Sequence, residues 1–183
     1  MKSIFFVQLL FGIFLNTVSA QDSLLVKTRN MYVKAAQNED MFNEFLLHLE
    51  EEEIKASPTI SGYKAVGYFL KSRYSFNPFS RWKSFKKGKK LLKKAIDTAP
   101  AVVELNYLRF TIQTKAPKFL HYRSQITTDK QKLFEYLRKE QTVIDPDLRH
   151  RILTFLEASD FCSEAEQNDL KVIRQAGLAM EGI

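Results

Sequence analysis

The chain has 183 residues, of which 45% are hydrophobic and 27% charged, with a formal net charge of +7. These proportions exclude wholesale disorder and supply enough apolar residues for one core-bearing domain. With only 6 Gly and 5 Pro, long helices are favoured over many short, turn-linked strands. A single cysteine, Cys162, excludes an intramolecular disulfide.

Lys2, the apolar run Ile4–Leu15 and the small residues Val18-Ser19-Ala20 make a secretory signal peptide, residues 1–20, with cleavage expected near Ala20. The apolar run is well short of the roughly 20 residues that a spanning helix needs. Nothing later is long and apolar enough to span, so the mature form, residues 21–183, is expected to have no transmembrane segment. It is expected to be periplasmic or secreted, and basic. In that compartment nucleic acid is not the expected partner; an acidic polymer, an anionic lipid head group or an acidic protein is. Without disulfides, the exported domain must be held by its core. Cys162 reads either as a small buried hydrophobe or as a thiol that pairs between chains.

The mature chain reads as one all-helical domain of about seven to eight helices. Leu24–Ala36 keeps a helical stripe through Leu24, Met31 and Ala35. Asn38 can cap the next helix, with Glu39 and Asp40 in its first turn and Phe42, Phe45, Leu46 and Leu49 inward. That helix runs into Glu50–Glu53, which is either a frayed, solvated end or a run compensated by a positive partner such as the lysine-rich helix; a calcium cage is weakly supported. Ser57-Pro58 breaks the chain, and Ser61 is the expected cap of Gly62–Tyr74. Phe76–Ser80 reads as a loop whose two phenylalanines pack back on the core, an exposed aromatic patch being the alternative.

Trp82–Ile126 reads as the middle of the domain. The helix Arg81–Thr98 carries Phe85, Gly88, Leu92 and Ala95 at helical spacing, and lysines occupy the rest of its circumference. Gly88, costly in a helix by about 1 kcal/mol relative to Ala, implies another helix passing close by. Pro100 ends the segment. Val102–Thr114 is apolar on several sides and is expected to be buried between neighbours; it lacks the strict alternation of a strand. Pro117 can start a short helical turn. Thr127 or Thr128 can cap Asp129–Glu140. Asp145-Pro146-Asp147 opens Leu148–Ala158, and Ser163 with Glu166 has the capping-box spacing before a last helix that frays after Gly177.

The spacing Tyr63-x2-Val66-Gly67-x2-Leu70, followed by Gly88-x3-Leu92-x2-Ala95-x4-Pro100, resembles the two helices of a tetratricopeptide repeat. It implies antiparallel helical hairpins in a TPR-like array, with one such hairpin near 62–100. The span from Tyr63 to Pro100 is about nine residues longer than the matching span within the 34-residue template, a departure assigned to the loop. The order of segments from Ser61 to Leu137 also resembles a group of small exported helical bacterial proteins of the gram-negative envelope without assigned activity. That likeness implies an exported helical fold and carries no catalytic residue across.

Chemistry is sparsely signalled. His48, His121 and His150 lack metal-ligand spacing, and there is no nucleophile elbow or phosphate loop. No catalytic residue, cofactor or metal is assigned. Tyr107, Arg109, His121 and Arg123 could line a polar pocket if the Pro117 turn folds over the neighbouring helices. The most distinct candidate is the face bearing Lys83, Lys86, Lys87, Lys90 and Lys94, either a solvated helix face or a docking surface for anionic envelope lipid, polysaccharide or an acidic protein. The expected function is a non-enzymatic interaction or scaffold protein with an unknown protein partner. Binding of anionic lipid or polysaccharide is the alternative, and a small hydrolase or metal-dependent enzyme ranks below it.

Overall fold

The computed structural model describes residues 23–51, 57–139 and 145–181; the expected leader lies outside them. Among the described residues there are eight α-helices and no strand. They are α1 (residues 23–35), α2 (Glu39–Glu51), α3 (Pro58–Tyr74), α4 (Pro78–Thr98), α5 (Val103–Lys115), α6 (Ile126–Leu137), α7 (Pro146–Glu157) and α8 (Glu164–Glu181), with a 3₁₀ turn at Lys118–Leu120. None of these helices is long and apolar enough to cross a membrane.

Local capping chemistry sets most of the boundaries. Asn38 Oδ1 accepts from the Asp40 N–H at 2.8 Å, and Asp145 Oδ1 accepts from the Leu148 N–H at 3.1 Å. Ser163 and Glu166 close the reciprocal capping box, at 2.7 Å from the Ser163 N–H to Glu166 Oε2 and 3.3 Å from the Glu166 N–H to Ser163 Oγ. Several boundaries differ from the sequence reading; α4 begins at Pro78, not Arg81, because Asn77 caps it and proline suits the first turn, so Pro78–Ser80 belong to the helix. Helix α3 begins at Pro58 and is capped by Ser57, not Ser61, because proline suits the first turn and Ser57 Oγ takes the Ile60 N–H at 3.1 Å. Helix α6 starts at Ile126 without a side-chain cap, so Thr127 and Thr128 lie inside it. Helix α8 continues past Gly177 to Glu181.

The α3–α4 pair is the most extensive helix contact, followed by α5–α6. Tyr63, Val66, Gly67 and Leu70 are buried on α3, and Gly88, Leu92 and Ala95 on α4. A Cβ on Gly88 would sit 3.0 Å from the Ala65 carbonyl oxygen and 3.1 Å from the Phe69 ring, which is the close helix passage that this glycine implied. The length beyond the repeat template is not in a loop. It lies in the helices themselves, 17 and 21 residues long, joined only through residues 75–77.

The middle of the fold is α5 rather than the lysine-rich α4. Helix α5 buries Glu104, Leu105, Asn106, Tyr107, Leu108, Phe110, Thr111 and Gln113 and contacts α3, α4, α6 and α7. Helix α1 joins the same centre: the Tyr32 ring meets Tyr63 edge-on at 5.9 Å, and its hydroxyl lies 3.2 Å from Thr111 Oγ1. Neighbours thus surround α5, which is why apolar residues stand on several of its sides and its polar residues Glu104, Asn106, Thr111 and Gln113 are buried as well.

Candidate functional site

The outer surface of α4 is the most distinct feature of the described residues. At about 100° per residue, Phe79, Trp82, Lys83, Lys86, Lys87, Lys90 and Lys94 share an arc of about 140°, and all seven are exposed. The opposite arc, Ser84, Phe85, Gly88, Leu92, Ala95 and Ile96, is buried. The helix carries Arg81 and seven lysines against the single acidic Asp97, which Lys93 Nζ engages at 2.6 Å. Some ammonium groups are steered by aromatic rings: Lys87 Nζ stands 4.3 Å from the Tyr68 ring centroid and Lys86 Nζ 5.8 Å from that of Trp82. Glu50 is exposed, and the expected pairing of the acidic run with the lysine-rich helix falls mostly on Glu51–Glu53, whose side chains lie outside the described residues.

The loop aromatics correct an expectation. Phe76 and Phe79 do not pack back on the core; they are 95% and 86% exposed, and Trp82 one turn later is 53% exposed. The short α3–α4 link explains this. Asn77 Oδ1 accepts from the Phe79 and Ser80 N–H groups at 2.9 and 3.3 Å, and Ser72 Oγ donates to the Arg81 carbonyl at 2.8 Å. The turn is thus tied down with its aromatic side chains outside it. Trp82 keeps one face on the buried Phe85, stacked at 6.3 Å.

Tyr107, Arg109 and Arg123 take separate partners, and His121 is exposed. Tyr107 is buried edge-on against Phe155 at 6.0 Å, and burial raises its hydroxyl pKa above the ordinary range. The Arg109 guanidinium forks onto both Asp129 oxygens at 2.7 Å. Arg123 donates to the Ala116 carbonyl at 2.7 Å and lies 5.4 Å from the Phe161 ring centroid. His121 adopts the left-handed backbone conformation, φ 47°, at the end of the 3₁₀ turn. Two shallow concavities, one lined by residues such as Thr114, Phe155 and Phe161 and the other by Pro100, Asn106 and Tyr136, include none of these four.

The buried polar chemistry lies elsewhere. Arg29, only 2% exposed, forks onto Glu104 at 2.7 and 2.8 Å and reaches Asp145 and Asp147 at 2.8 Å each. The Tyr63 hydroxyl donates to Glu104 Oε1 at 2.7 Å. This cluster ties α1, α3, α5 and α7 together, and its members were not singled out as a set in the sequence. His48 is buried 2.8 Å from Thr28 Oγ1. Because that hydroxyl gives its hydrogen to the Leu24 carbonyl at 2.9 Å, His48 Nε2 is the donor of the pair. His150 is exposed. Among the described residues, no three His, Cys, Asp or Glu side chains converge as a metal site. Cys162 is half-buried against the core, and burial raises its thiol pKa.

Comparison with protein-family models, with curated proteins and with solved structures returned no match. The surface geometry and the electrostatics therefore carry the functional reading.

The cluster also sets an acid response. Burial by itself raises the Asp147 carboxyl, but hydrogen bonds and charge from Arg151 and Arg29 outweigh it and hold the pKa below the usual carboxylate value. At Glu166, likewise, burial raises the carboxyl but Lys130 and the Ser163 N–H outweigh it. A carboxylate with a lowered folded pKa stabilises the fold above its unfolded pKa, about 4, and loses that contribution as pH falls through the folded value. Denaturant unfolding should show stability dropping below about pH 4, and Asp147→Asn should flatten part of that slope. An unchanged slope in the variant would place the acid sensitivity elsewhere.

Proposed function

We propose that this chain is an exported, non-enzymatic interaction protein of the bacterial envelope, and that the lysine face of α4 docks an anionic partner. The observation that carries this reading is the division of α4 into a buried apolar side, committed to α3, and an exposed side on which Lys83, Lys86, Lys87, Lys90 and Lys94 stand together. Because the apolar side is spent on helix pairing, the face is held rigid, and binding to it costs little ordering of the backbone. The resemblance of the α3–α4 spacing to a TPR hairpin supports an interaction role, and the leader-like residues 1–20 support export.

Two measurements test the reading. Expressed in a gram-negative host, the full chain should appear in the periplasmic fraction with a mass that begins at Gln21; full-length protein retained in the cytoplasm would overturn export. A soluble polyanion such as heparin should bind in a salt-sensitive way, and replacing the five lysines by glutamine should abolish that binding. Equal binding by the variant would remove the lysine face from the reading.

A further inference from the structure

We infer that the anionic partner of the α4 face is a phospholipid bilayer, with Phe76, Phe79 and Trp82 entering the head-group boundary while the lysines sit on the phosphates. The inference rests on the docking role proposed for the lysine face and adds the partner's identity and the anchoring residues.

Three observations point to a bilayer. The aromatic and cationic groups are continuous: Phe79 and Trp82, in the first two turns of α4, share their arc with Lys83, Lys86 and Lys90, and this face runs about 22 Å along the helix from Phe79 to Lys94. A membrane surface offers this pair of chemistries side by side, anionic head groups above an apolar interior, with tryptophan favoured at the boundary between them. A soluble polyanion offers nothing for the exposed phenylalanines.

The aromatics also project. At 95% and 86% exposure, Phe76 and Phe79 stand proud of a turn between two helices, and neither shallow concavity described above includes them. A folded protein partner would need a matching recess for them, whereas a fluid bilayer takes a protruding side chain at any point. The third observation is that the Asn77 cap and the Ser72–Arg81 hydrogen bond hold this turn in place. The aromatics are therefore presented with little backbone ordering left to complete on insertion. Binding should need both parts, since electrostatic attraction brings the face to the surface and aromatic burial retains it.

Trp82 is the sole tryptophan of the chain and stands within this site. The mature protein from Gln21, which lacks the apolar run Ile4–Leu15, is titrated with vesicles of phosphatidylglycerol and phosphatidylcholine, and with vesicles of phosphatidylcholine only. With the anionic vesicles, Trp82 emission should shift to the blue and be quenched by lipids brominated on the acyl chain; with neutral vesicles it should not. Lys83→Gln/Lys86→Gln/Lys90→Gln should weaken the response about a hundredfold. Phe76→Ser/Phe79→Ser, at positions too exposed to disturb the fold, should weaken it about tenfold or more. Salt-sensitive binding of heparin without acyl-chain quenching of Trp82 would overturn the bilayer and leave the lysine-face reading standing. Equal quenching with neutral vesicles would overturn the electrostatic half, and no response to either vesicles or heparin would overturn the inference and the reading beneath it together.

Discussion

Replacing Glu104 by alanine is expected to remove about 3–5 kcal/mol of stability, read as a lower denaturant midpoint at an unchanged slope. Glu104 is 3% exposed and neutralises Arg29, itself 2% exposed, through two short hydrogen bonds, and it accepts the Tyr63 hydroxyl. The substitution leaves the guanidinium with acidic partners on its α7 side only and strands a buried phenol. Burial lowers the Arg29 pKa, but Glu104, Asp145 and Asp147 outweigh it and raise it further above its already high value, so deprotonation offers no escape. Against the total stability of an ordinary domain, about 5–15 kcal/mol, the loss would be severe.

A double variant, Arg29→Met/Glu104→Gln, separates the burial of charge from the geometry of the site. Methionine refills the volume, and the glutamine amide oxygen still accepts from Tyr63. Asp145 and Asp147, with side chains 42% and 32% exposed, can turn to water. The double variant should therefore lose less than Glu104→Ala alone. A greater loss would mean that the ion pair contributes net stability, and a Glu104→Ala cost below about 1 kcal/mol would mean that Asp145 and Asp147 suffice for Arg29.

What the sequence shows of this fold is what depends on neighbours in sequence. Caps act over two or three residues, so Asn38, Asp145 and the Ser163–Glu166 box can be read directly. The burial of α5 follows from apolar residues standing on several sides of the helix. The Gly88 approach follows from the cost of glycine within a helix. The Arg29 cluster is different in kind: Arg29 lies 75 residues from Glu104 and 118 from Asp147, and each reads locally as an ordinary charge on a helix. One signal was available, because Glu104 stands between Val103 and Leu105 in a helix with no solvent side, and a charge there needs a buried partner. Phe76 and Phe79 fail in the opposite direction. Aromatic residues are expected inside, but a link of three residues between long helices has no room to fold inward, and that length becomes clear only once α3 is known to extend to Tyr74 and α4 to begin at Pro78.

Asp129 tests whether a second buried set specifies how α6 seats on α5. Its side chain is fully buried. It receives both arms of Arg109 at 2.7 Å and the Asn106 amide at 2.9 Å, so a residue that reads as a first-turn acid suited to the helix dipole is instead the acceptor that joins two helices. Asp129→Ala should cost about 3 kcal/mol, at the lower end for a broken buried pair because Arg109 remains 15% exposed and can recruit water. Asp129→Asn should cost nearly as much, since its new N–H₂ must face a donor on Arg109 or Asn106. The triple change Asn106→Leu/Arg109→Met/Asp129→Leu removes every donor along with the acceptor and should recover most of the loss in denaturant unfolding. If the triple variant is as stable as the natural chain but loses its near-ultraviolet circular dichroism, the polar set holds α6 in one register on α5 without adding net stability. If stability and spectrum both return, apolar packing alone fixes that register. If neither returns, the Arg109–Asp129–Asn106 set is itself a net source of stability, against the usual balance for buried charges.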